Sequence, residues 1–228
     1  MTRSSRLALV IFAVTMGIFE GAAVVYLNRL QALGEFAGLS SPMSSVIVVT
    51  EVLREAASIV MIVAVAAVAA RGFIPRLART AIIFGIWDIV YYIVLRVLIG
   101  FPATLLTWDV LFLIPKPWVG PVAAPILVSI ALVTAGWIAI LREKSAGRIS
   151  PHVWHWALAV AGGLVVIGSF LIDTPAAFDG TNFPARFRWE VFLPGFALGL
   201  AAFVSAARRQ SPSPDRIPAS KRRSRWQS

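Results

Sequence analysis

The chain has 228 residues, 58% of them hydrophobic and 14% charged, with a mean hydropathy of +0.81. A soluble domain carries roughly 25% charged residues, so the composition excludes an ordinary soluble fold and predicts an all-α, multi-pass membrane protein. The absence of cysteine excludes disulfides, thiolate metal sites, iron–sulfur clusters and a cysteine nucleophile.

Six apolar runs are long enough to cross about 30 Å of hydrocarbon, which needs ~20 helical residues. They cover residues 7–27, 46–70, 81–99, 119–141, 153–172 and 187–207. Lone strands are excluded, because an open sheet edge in lipid leaves backbone groups unpaired and these runs lack the alternation of a barrel. Ser40, Ser41 and Pro42 punctuate the start of the second run, Gly72 and Pro75 its end, and Ser150 with Pro151 the start of the fifth. The first run follows a basic start like that of a signal peptide, with Arg3 and Arg6. It continues past Glu20 to Leu27 with no convincing cleavage site, and is expected to be a retained span.

Between the third and fourth runs lies 105–114, a ten-residue apolar stretch bracketed by Pro102 and Pro115. It is too short to span, and is expected to form an interfacial or re-entrant half-helix on the outer face, with Thr104 as its N-cap. Residues 1–207 thus form one six-helix transmembrane domain. The segment 208–228 is rich in Ser, Pro and Arg and is expected to be a disordered basic tail.

The net charge of +10 reports topology, not nucleic acid, and no nucleic-acid partner is expected. Arg3 and Arg6, then Arg71, Arg76 and Arg79, then Arg142, Lys144 and Arg148, and finally the tail all fall on one face. The opposite face has only Arg29, Lys116, Arg186 and Arg188. By the positive-inside rule both termini are cytoplasmic. The tail is then either a topology anchor or a contact with anionic lipid of the bilayer, at about 1 kcal/mol per basic residue near the surface. Protein partners are not legible.

Ionisable residues within spans are costly and mark candidate sites. Here they are Glu20, Glu51, Arg54, Glu55, Asp88 and Arg96, with Asp109 on the half-helix, where the aromatic Trp108 beside it is a further candidate. Glu51 and Glu55 share one helix face, with Arg54 three residues beyond Glu51. Asp88, Tyr92 and Arg96 recur every four residues as one polar stripe, with Trp87 and Tyr91 alongside. All these residues lie in the first half of the chain, which predicts a polar working half braced by an apolar one. Five acids against two arginines cannot all remain ionised and unhydrated in a low dielectric. A bound cation, a proton or entering water must balance them. The bland alternative is a structural network in which Arg54 pairs with Glu51 or Glu20, and Arg96 with Asp88 or Asp109.

The weaker signals are structural. His152 and His155 form an H-x-x-H at the start of the fifth run, in the expected headgroup belt. Gly195 and Gly199, and Ala159 with Gly163, have the small-residue spacing of close helix packing. Nucleotide-loop, serine-hydrolase, zinc-protease and dinucleotide fingerprints are missing. No metal site is predicted, and no cofactor can be named.

The stretches Gly-Ile-Trp-Asp-Ile-Val-Tyr-Tyr at 85–92 and Leu-Leu-Thr-Trp-Asp-Val-Leu-Phe-Leu-Ile-Pro-Lys-Pro-Trp-Val-Gly-Pro-Val at 105–122 resemble uncharacterised bacterial multi-span integral membrane proteins of unknown function. The resemblance implies a bacterial origin and no particular activity, and with the six spans the expected location is the inner membrane. The leading expectation is a polar site that binds a proton, a cation or a small polar ligand, coupled to transport. The rivals are a membrane enzyme acting on a lipid or isoprenoid head group by carboxylate acid–base chemistry, and a non-catalytic assembly subunit.

Overall fold

The structure, a computed structural model, describes residues 3–32, 45–145, 149–172, 174 and 186–209. Among these residues, six helices are long and apolar enough to cross a membrane. They are α1 (Arg3–Ala32), α2 (Ser45–Ala69), α3 (Phe73–Ile99), α4 (Ala123–Ser145), α5 (Val153–Leu171) and α6 (Trp189–Arg208). Large apolar side chains such as Leu7, Val60, Val68, Val97, Val153 and Leu164 are exposed on them. That is costly in water and natural against lipid. The chain is thus a multi-pass, helical membrane protein.

Helix α3 is the axis of the first four helices, packing against α1, α2 and α4, while α5 pairs with α6. Leu9, Ala13 and Met16 of α1, Ile62 and Ala66 of α2, Ala78, Ile82, Ile83 and Trp87 of α3, and Ile140 of α4 form one buried core. Glycine lets α3 and α4 approach closely. A side-chain carbon added to Gly85 would lie 2.5 Å from the Ser129 carbonyl oxygen, and one on Gly136 2.6 Å from that of Ala78. On the other side, a carbon on Gly162 would lie 2.7 Å from the Gly195 oxygen. The small-residue contact of α5 with α6 therefore runs through Gly162 rather than Gly163.

Three expectations are corrected. The stretch 105–114 is not a half-helix. Residues Trp108–Phe112 form strand β1, paired antiparallel with β2 (Trp118–Pro121), with Asp109 opposite Gly120 and Val110 opposite Val119. Pro115 and Pro117 supply no N–H for a helix, and aromatic and branched residues favour a pleated pair whose backbone groups satisfy one another. Thr104 serves a turn instead of a helix cap. Its hydroxyl accepts from the Leu106 N–H at 3.2 Å, and its carbonyl from the Thr107 N–H at 3.0 Å.

The fourth span consequently starts at Ala123, because 119–121 belongs to β2. Finally, α3 starts at Phe73, eight residues before the expected 81. Pro75 lies in its first turn, where a missing N–H costs nothing, and Arg79 is a buried helical residue that donates to the Pro75 carbonyl at 2.7 Å. The segment from 210 onward, most of the expected basic tail, lies outside the described residues, while Arg208 ends α6.

The hairpin closes one end of the bundle. Phe112 packs against the first core, whereas Trp108, Leu111 and Trp118 pack on a second one made by Ala124, Phe170, Phe187 and Phe192. It is anchored at both margins. The Ala123 N–H donates to the Leu105 carbonyl at 2.7 Å, and the Thr174 hydroxyl to the Pro117 carbonyl at 2.6 Å.

Candidate functional site

Beneath the hairpin lies a chamber of about 340 Å³. Glu20, Arg54, Glu55, Asp88, Tyr91 and Tyr92 bring polar groups to its wall, and Phe84, Trp87, Phe112, Trp118 and Phe170 bring aromatic rings. The site is built as follows. Helix α2 places Glu51, Arg54 and Glu55 within four residues, so all three side chains emerge along neighbouring lines of one face. The Arg54 guanidinium reaches Glu51 through Nε at 3.1 Å and Nη2 at 2.7 Å. Its Nη1 pairs with Glu20 of α1. Glu20 also accepts from the Ser58 hydroxyl at 3.2 Å. One arginine thus holds two acids and ties α1 to α2.

Three further carboxyls have no ion-pair partner among the described residues. Glu55 accepts from the Leu113 N–H at 2.9 Å, just beyond β1. Asp88 accepts from the Ser129 hydroxyl of α4 at 2.7 Å. Asp109 accepts from the Tyr92 hydroxyl at 3.0 Å and from its neighbour's Val110 N–H at 2.9 Å. Burial beneath the hairpin pushes the Asp109 carboxyl up to about 6, and its two hydrogen bonds pull against that rise. Among the described residues the hydrogen bonds to these three acids come from neutral donors, while the Arg54 guanidinium, paired with Glu20 and Glu51, also acts on Glu55 through space.

The expected pairing of Arg96 with Asp88 or Asp109 does not form. Gly100 ends α3 in a left-handed conformation (φ 73°), which brings the following carbonyls back towards the last turn. Arg96 donates through Nη1 to the carbonyls of Gly100 at 2.7 Å and Pro102 at 2.9 Å. A cation there meets two carbonyls just past the helix end and is favourable beside the helix C-terminus. The polar stripe of α3 is therefore divided: Asp88 and Tyr92 line the chamber, and Arg96 caps the helix. Trp108 is also displaced from the site, its ring packing edge-on to Phe187 at 6.0 Å. Tyr91 does line the chamber, its ring edge-on to Tyr92 at 5.0 Å.

Other features went unread in the sequence. Ser58 and Ser129 are buried polar partners of the acids, and their only signal was a lone hydroxyl in an apolar span. The expected division into a polar and an apolar half also fails at the wall itself. Ser129 and Val128 of α4, and Gly163, Val166 and Phe170 of α5, help to close the chamber. The Trp87 and Trp118 indole N–H groups are buried without a hydrogen-bond partner among the described residues, and both rings line the same space.

The two histidines behave as structural residues. The His152 N–H donates to His155 Nδ1 at 3.0 Å, which caps the start of α5, and the buried His155 ring stacks on Trp154. Among known proteins, the chain matches no family model, no curated protein and no solved structure.

Proposed function

We propose that this chain is a bacterial inner-membrane protein, with both termini in the cytoplasm, whose chamber binds a cationic ligand or carries protons as part of transport. The observation that carries this reading is the set Glu55, Asp88 and Asp109, whose hydrogen bonds among the described residues come from neutral donors and which form no ion pair there. A carboxylate placed in a low-dielectric interior needs a counter-charge, a proton or water. A purely structural network would have used Arg96, which instead caps α3. The Arg54, Glu20 and Glu51 cluster is the structural share of the network, fixing the register of α1 against α2. The remaining acids are the share available to a ligand.

Calorimetric titration of the detergent-solubilised chain with 2-aminoethanol and with inorganic cations tests the proposal, run in two buffers of different ionisation heat. Binding with a buffer-dependent heat, which signals proton release from the carboxyls, is expected. Absence of binding heat for every cation, in both buffers and across pH 5 to 8, would contradict it.

A further inference from the structure

A second space adjoins the chamber. It is a groove of about 380 Å³ between α3 and α4 on one side and α5 and α6 on the other. Its walls are almost wholly apolar and largely small residues, among them Ala131, Ala135, Gly163 and Gly199. Val128, Leu132, Gly163 and Val166 line both spaces. From Val166 the groove follows α5 to His155, eleven residues or about 16 Å at the helical rise, room for a chain of roughly a dozen carbons. Gly163 and Gly199 face open space here, with nothing within 4 Å of an added side-chain carbon.

The polar end has its own unmet demands. Acids with no ion-pair partner among the described residues call for positive charge. The indole N–H of Trp87, a residue only 6% exposed, and that of Trp118 call for an acceptor oxygen. An unpartnered buried donor is a destabilising group until a ligand or water meets it.

We infer that the chamber and the groove form one site for a single-chain amphiphile, with a protonated amine and a neighbouring oxygen in the chamber and the hydrocarbon chain in the groove. This rests on the reading of the chamber as a cation site, and specifies its ligand class. An anionic head is repelled by the same carboxyls, and a short polar cation leaves the groove unused.

The test uses the full chain in phosphatidylcholine nanodiscs, following its melting temperature during titration with 2-aminoethanol, 2-aminododecan-1-ol and dodecyl sulfate. The long-chain amino alcohol should stabilise at concentrations at least about tenfold lower than 2-aminoethanol, since each buried methylene adds to binding. Dodecyl sulfate should give no stabilisation. Partition into the bilayer would also favour a long chain, so the deciding comparison is with Ala135→Leu and Gly199→Leu, at positions that line the groove and not the chamber. Each adds bulk to the groove wall, and each should remove most of the long-chain advantage while the response to 2-aminoethanol stays. Two groove variants guard against one that folds poorly. Retention of the advantage in both, or equal stabilisation by dodecyl sulfate, would overturn the amphiphile and leave the cation chamber standing. No response to either amine would overturn both.

Discussion

Tyr92 on α3 donates its hydroxyl to Asp109 on β1 across 3.0 Å, and so fastens the central helix of the bundle to the hairpin that roofs the chamber. The two residues lie 17 apart in the sequence, and Leu113 makes a second fastening to Glu55 of α2. Roof and wall are held together by groups that also define the site.

Replacing Tyr92 by Phe removes the donor and leaves the ring in place. The expected loss is on the order of 1–2 kcal/mol, the worth of a hydrogen bond to a carboxyl group. Hydrogen exchange should show the β1 and β2 amides opening faster while α5 and α6 exchange as before. Unchanged exchange in the hairpin would show that the bond does not hold the roof.

Arg54 is the linchpin of the α1–α2 contact. Arg54→Leu leaves Glu20 and Glu51 charged and unpaired, which costs about 3–5 kcal/mol for a buried pair. Glu20 is the more deeply buried of the two acids, its side chain 5% exposed against 14% for Glu51. Glu20→Gln in the Arg54→Leu background should therefore recover more stability than Glu51→Gln. Thermal melts of the single and double variants give the comparison.

Arg96 behaves differently. Arg96→Leu removes two bonds to backbone carbonyls at a helix end and should cost roughly 1–2 kcal/mol. Adding Asp88→Asn or Asp109→Asn should bring no rescue, since neither acid is its partner. A double-mutant cycle showing strong coupling of Arg96 with either acid would contradict the capping role.

Spans α1, α2, α5 and α6 were legible because about twenty apolar residues in a row admit one solution in lipid. The hairpin was not. A short apolar run between prolines fits a half-helix as well as a strand by hydrophobicity alone, and the continuous run from Val119 hid the boundary between β2 and α4. Pro117, two residues beyond Pro115, was the overlooked signal. The acids of the chamber were legible as costly residues in spans, and the Arg54–Glu51 pair from helix spacing. The fate of Arg96 was not, because periodicity gives the face of a helix while Gly100, just past its end, decides what that face meets.

The hairpin carboxyl gives a pH signature. Asp109 is held at about 6 in the folded chain, above the ordinary aspartate value, because burial disfavours its charge. The folded state thus binds a proton that the unfolded state has released between about pH 4 and 6. Its stabilising contribution is complete below that window and is lost as pH rises through 6. Melts should show the chain more stable at pH 5 than at pH 7.5, with a smaller difference in Asp109→Asn. Equal differences in both proteins would remove Asp109 as the source.

The central claim is that Glu55 and Asp88 are held for a ligand and not for the fold. Melting temperatures of Glu55→Gln and Asp88→Asn, with and without saturating 2-aminoethanol, test it most directly. Without ligand, both variants should melt at the wild-type temperature or above it, because an uncompensated buried charge has been removed. With ligand, the wild type should rise by several degrees and the variants should not. If both variants instead melt several degrees lower without ligand, and the amine leaves the wild type unmoved, these carboxyls are scaffolding and the chamber binds no cation.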